Sequence, residues 1–147
     1  MKNDTLSFMN LHVLQLRRRY FAKTGSFDAN MFFEANIFLN SVCSFPLGAN
    51  NYQLGNESFS ASSFNLESKP WAARLNRVVG SGAWCAENNA IGEYLEIDLV
   101  QKLHVTGIAT QGEHAQRGNW VTEYTLWYRQ HGNSPLAPYT ASETTKV

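Results

Sequence analysis

Nowhere does this chain approach the ~18–20 consecutive apolar residues that a membrane-crossing helix needs, so no helical span is encoded in its 147 residues. An excess of charge is missing too: Lys+Arg and Asp+Glu both number 12, and the formal net charge is zero. That removes the global field that draws nucleic acid or an anionic membrane to a strongly basic protein. Cysteine is scarce, with Cys43 and Cys85 alone. Two such residues can be one disulfide, two buried thiols, or thiols awaiting partners elsewhere. Neither belongs to a Cys-x-x-Cys pair and no histidine cluster completes a zinc-type ligand set, so no metal centre is expected. What is present is the composition of a globular protein, 44% hydrophobic and 13% aromatic. The length suffices for one domain with a hydrophobic core. The aromatics suit a β-rich core or an adhesive surface equally well.

Residues 1–42 and 43–147 read differently. In the first part Leu6, Met9, Val13, Leu16 and Tyr20 alternate steps of three and four, the stripe of an amphipathic helix. Asp4 or Thr5 suits its start, Arg17–Arg19 and Lys23 suit the negative end of its dipole, and Gly25 suits its stop. A secretion signal is a poorer reading, because Asn10, His12 and Gln15 interrupt the apolar stretch and three arginines follow it. A mitochondrial presequence fits only weakly. The plain reading is an upstream segment of unassigned role. The near-repeat Phe27–Phe32 and Phe33–Phe38 has a period of neither helix nor strand, and two copies do not make a repeat architecture.

From Cys43 onward the pattern is that of strands. Glu93–Val100 alternates, with Leu95, Ile97 and Leu99 on one face and Glu96 and Asp98 on the other. Val105–Thr110 is rich in β-branched residues. Trp120–Arg129 alternates again, with Tyr124, Leu126 and Tyr128 sharing a face and Trp127 opposite them. Turn-forming clusters such as Gly80-Ser-Gly82 and Asn88-Asn89 lie between. Short strands broken by turns predict an all-β antiparallel sandwich or barrel. Its expected core holds Leu75, Trp84, Leu95, Ile97, Leu99, Val105, Tyr124, Leu126 and Tyr128.

Enzymatic readings are weak. Glu96 and Asp98 share a strand face as catalytic carboxylates can, but a solvated face explains them without chemistry. Pairing Cys85 with His104 or His114 as a nucleophile lacks any surrounding motif. Asn3-Asp-Thr5 and Asn56-Glu-Ser58 match the glycosylation pattern at a frequency that an asparagine-rich chain produces by chance.

Motif order carries the most information. Cys43-Ser-Phe-Pro-Leu-Gly48, Ser60-Ala-Ser-Ser63, Ala73-Arg-Leu-Asn76, Gly82-Ala-Trp-Cys85, Glu93-Tyr-Leu-Glu-Ile-Asp-Leu99, Val105-Thr-Gly-Ile-Ala-Thr-Gln-Gly112 and Trp120-Val-Thr-x-Tyr124 follow one another. In this order they resemble the discoidin family, the coagulation factor V/VIII type C domain, across residues 43–147. The resemblance implies a jelly-roll-like antiparallel β-sandwich of the galactose-binding-like kind, incomplete at the C-terminus. It departs from the family pattern at Val100, where a glycine turn is usual, at Glu113, and around His131–Leu136. The family's last strands and closing cysteine do not appear before Val147, which leaves Cys43 without its usual partner and implies exposed strand edges. Cys43 and Cys85 are not expected to bond to each other, since the resembling fold separates them.

By the same resemblance, ligand meets three loops at one end of the sandwich. The first offers Phe64, Leu66, Lys69 and Trp71, the second Arg77, Val78 and Val79, and the third His114, Gln116 and Arg117. Apolar tips beside a cation suit a phosphatidylserine-containing membrane. The polar third loop suits a cell-surface glycan or protein. Phe64 and Trp71 have the alternative of simply capping the core. The expected function is therefore non-enzymatic recognition or cell adhesion, extracellular or at the cell surface, with no nucleic-acid partner. No cofactor is indicated; calcium is compatible but not signalled. The alternative is a truncated fragment without independent binding.

Overall fold

Alternation along Glu93–Val100 builds the strand on which the rest of the sheet assembles. The computed structural model describes residues 2–18, 34–37, 45–46, 53–77, 82–88, 90–112, 121 and 123–140. Within them lie β1 (Lys2–Arg18), β2 (Glu34–Ile37), β3 (Phe45–Pro46), β4 (Phe59–Ala61), β5 (Tyr94–Thr110), β6 (Tyr124–Arg129) and β7 (Ala137–Pro138). They form one open antiparallel sheet in the order β3-β2-β5-β1-β6-β7, with β4 also paired to β5. This open, antiparallel all-β architecture is consistent with the jelly-roll expectation.

β5 serves two sets of partners because it is broken in the middle. Its first half pairs with β4 and its second half with β2. Between the halves Val100 has φ 65°, its N–H donates to Asp98 Oδ1 at 2.7 Å, and its side chain is 69% exposed. The step from Leu11 to Val13 in β1 spans the longer step from Leu103 to Asp98 in β5. A second irregularity lies opposite β2, where Ala35 to Ile37 spans Ile108 to Val105 and brings those two side chains into one core. Leu95, Ile97, Leu99, Val105 and Ile108 thus pack together with Leu16, Leu54, Phe59, Ala73, Trp84 and Leu126. Burying each large side chain is worth roughly 1.5–3 kcal/mol. All nine expected core residues are in place: seven are buried, and Tyr124 and Tyr128 are half-buried against the same core. A smaller cluster joins Leu75, Ala83, Cys85 and Ala109. Cys85 is a buried thiol outside any disulfide; Cys43 lies outside the described residues.

The helix predicted from Leu6 to Tyr20 is not formed. Lys2–Arg18 is a strand lying between β5 and β6. The reason is that Val13–Arg17 is covered on both faces: Val13 and Gln15 are buried on one side and Leu16 on the other. A strand buried on both faces loses its period-2 signature, and long-range pairing then overrides the local helical spacing. β5 and β6 consequently meet β1 rather than solvent along these edges. The path of the described sheet ends in the short strands β3 and β7, the kind of edge that offers little template for association.

Register also settles the odd position of Trp127. Ser60, Glu96, Gln15, Trp127 and Pro138 form one row across β4, β5, β1, β6 and β7. This is the face opposite the Leu95–Leu16–Leu126 row. Gln15 is closed in there by its neighbours: its Nε2 donates to Glu96 Oε2 at 2.9 Å, and its Oε1 accepts from Arg17 Nε at 2.6 Å. The Arg17 guanidinium lies 4.7 Å from the Trp127 ring centroid and 5.8 Å from that of Tyr94.

A β-branched residue at positive φ is strained, and Val100 buries little to compensate. Val100→Gly should therefore stabilise the fold by about 0.5–1 kcal/mol, read as a higher urea midpoint at unchanged m-value. A lower midpoint would show that this backbone turn carries no such strain.

Candidate functional site

The first loop is shaped by an asparagine. Asn65 opens a turn in which Ser68 N–H donates to Asn65 O at 2.9 Å and Glu67 N–H donates to Asn65 Oδ1 at 3.2 Å. Such side-chain capping is why asparagine favours the first position of a turn. It places Leu66 at the corner, 82% exposed, beside Phe64 at 40%. The turn is held from below by the Trp84–Cys85 segment. Asn65 N–H donates to Cys85 O (2.9 Å) and Cys85 N–H to Ser68 O (3.3 Å), while Trp84 Nε1 donates to Ser63 O at 3.0 Å. Trp84 is thus core with a satisfied indole, as its aromatic burial suggests.

A second turn joins the first at the same end of the sheet. Because β4 and β5 run antiparallel, the exit of β4 lies beside the entry of β5. Ser62 N–H donates to Tyr94 O at 3.0 Å, and Tyr94 N–H donates to Ser62 Oγ at 2.9 Å. The Ser62 and Ser63 hydroxyls both donate to Glu93 Oε2, the latter at 2.7 Å. Ser63 Oγ also accepts from Glu87 N–H at 3.1 Å. This clamp sets the turn Ile91–Gly92 near the first loop. Gly92 has φ 92°, a conformation that suits glycine, and Ile91 before it is 64% exposed.

Of the residues expected at the site, the structure brings Phe64, Leu66 and Lys69 to this end with their side chains outward. Trp71 differs. It is half-buried against the core, and its ring carries the Lys69 ammonium 5.0 Å from the centroid. It supports the loop rather than forming a free tip. Arg77 is half-buried with its N–H donated to Arg74 O at 3.4 Å. Val78, Val79, His114, Gln116 and Arg117 lie outside the described residues. Arg74, in the Ala-Arg-Leu-Asn motif, is fully buried and structural: Nη2 donates to Leu54 O at 2.8 Å and to Asn56 Oδ1 at 3.2 Å, and its guanidinium sits 4.5 Å from the Phe59 ring centroid.

Ile91 was missed by sequence reasoning. Its signal was a single aliphatic residue inside a turn-forming run, Asn88 to Gly92, where no packing face requires one. The carboxylates once open to a catalytic reading are engaged in the fold: Glu96 accepts from Gln15, and Asp98 from the Val100 N–H. Among the described residues no group of three or more His, Cys, Asp or Glu is placed to hold a metal ion. No described helix is long and apolar enough to cross a membrane.

The family described as F5/8 type C domain matches residues 58–145. Over 96 residues, 61% of this chain, the sequence is 36% identical to human coagulation factor V, and the match covers 4% of that protein. Pig coagulation factor V is 35% identical over the same share. Mouse lactadherin is 40% identical over 77 residues, which are 48% of this chain and 17% of lactadherin. The chain thus spans only a small part of these relatives. No solved structure matches.

Ser63 is the hinge pin between the two turns. Ser63→Ala removes a donor to Glu93 and the acceptor of the Glu87 N–H, and should cost about 1–2 kcal/mol. Amide exchange at Glu87 should accelerate beyond that of Leu95–Leu99, because the core strands lose nothing. Equal acceleration at both places would show that the clamp does not act locally.

Proposed function

Because this chain belongs to the F5/8 type C domain family, a non-catalytic recognition and adhesion module, we propose that its loop end docks on a phosphatidylserine-containing membrane surface. The observation carrying this reading is the joint exposure of Phe64, Leu66 and Ile91 on two turns braced against each other. Apolar tips enter the interfacial region of a bilayer while nearby cations meet the headgroups. Lys69 supplies one such cation, but Glu67 and Glu87 are exposed on the same loops. The local charge is therefore mixed, and apolar insertion has to supply most of the affinity. An extracellular setting belongs to the same proposal, since one relative is named for coagulation, a process outside cells.

Replacing Phe64, Leu66 and Ile91 together with Ser should weaken sedimentation with phosphatidylserine-containing vesicles by at least tenfold, since partial burial of each tip is worth about 1 kcal/mol or more. Lys69→Ala should have a smaller effect, near twofold to fivefold, from about 1 kcal/mol of headgroup attraction or less. Circular dichroism checks that the variants fold. Unchanged vesicle binding by the triple variant would overturn the reading, as would loss of binding confined to a variant of His114, Gln116 and Arg117, which would move the site to the third loop. A parent chain that sediments with no vesicle would favour the fragment without independent binding.

A further inference from the structure

β5 and β6 both fall within the family-matched span, residues 58–145, yet the strand between them does not. β1 comes entirely from residues 2–18, ahead of that span. Its segment Val13–Arg17 pairs with Asp98–Tyr94 on one side and Arg129–Thr125 on the other. The domain's own strands thus provide ladder partners along both edges of the segment.

Side chains are distinguished as well. Leu16, fully buried, lies in register between Leu95 and Leu126. On the opposite face Gln15 is bonded to Glu96, and Arg17 lies over the rings of Trp127 and Tyr94. Thr125 Oγ1 donates to Arg17 O at 3.4 Å and accepts from Trp127 Nε1 at 3.1 Å. This is the logic of strand addition: main-chain bonds supply affinity, and sites for alternate side chains supply selectivity. Here an apolar residue is required on one face, and an amide and a guanidinium on the other.

We propose that the gap between β5 and β6 is a strand-acceptor site, specific for residues 2–18 and able to take that segment from a second copy of this chain. The reading is independent of the loop end. Fifteen residues, 19–33, separate β1 from β2 in sequence, and when extended they reach about 50 Å. That length is compatible with delivery to the chain's own gap or to a neighbour's.

The test uses the full chain with a protease site inserted between residues 19 and 33 and cut under native conditions. The N-terminal piece should stay associated through gel filtration, and a labelled synthetic peptide of residues 2–18 should replace it. The same peptide with Gln15→Ala, Leu16→Ser and Arg17→Ala should compete at least about tenfold less well. Two differently labelled uncut chains should form mixed dimers that excess peptide suppresses. Release of the cut piece on gel filtration, equal competition by the altered peptide, or chains that never mix would each overturn the proposal.

Discussion

The described sheet depends on β5 being paired along both edges, by β1 on one side and by β4 and β2 in turn on the other. β1, β2 and β4 pair with it directly, β3 reaches it through β2, and β6 and β7 reach it through β1. A strand that long remains useful only if it bends, and the break at Val100 lets its halves take different partners while contributing to one core. The bend uses Asp98 as its fastener. Local strain at a single exposed valine is thereby set against burial of Leu95, Ile97, Leu99, Val105 and Ile108, a much larger quantity.

What the sequence made legible follows from how local each signal is. Strand β5 was readable because one face is apolar and the other polar over Glu93–Leu99. The opposed facing of Trp127 and Leu126 was readable from the same period, although the use of Trp127 was not: its partner Arg17 is more than a hundred residues away. β1 was misread for the complementary reason. Its neighbours bury both faces, so Leu14, Leu16, Val13 and Gln15 present no clean alternation, and a three-four spacing of larger apolar residues was the remaining local pattern. No rule confined to residues 1–20 contains the ladders that decide the matter.

The loop end shows the same division. Phe64 and Leu66 are placed on the first loop by the family resemblance, with capping of the core left open for Phe64 as for Trp71. Trp71 could not be distinguished from them by residue type, but it is half-buried against the core between the buried Pro70 and Ala72. Ile91 became a neighbour of the first loop only through the Ser62–Ser63–Glu93 clamp, a set of bonds between segments some thirty residues apart.

The carboxylates connect the loop end to the sheet behind it. Glu93 braces the turns, Glu96 receives Gln15, and Asp98 fixes the bend, so three carboxylates at and just before the start of β5 serve three separate constraints. Each is an acceptor for a neighbouring donor, which is where a charged group on a half-covered sheet face contributes most. In the proposed docking, turns held by main-chain and carboxylate bonds would lose little further freedom at a surface, which limits the ordering cost that usually erodes affinity. The exposed Leu66 and Ile91 side chains remain available for contact because the backbone beneath them is fixed, by Asn65 in one turn and by Gly92 in the other.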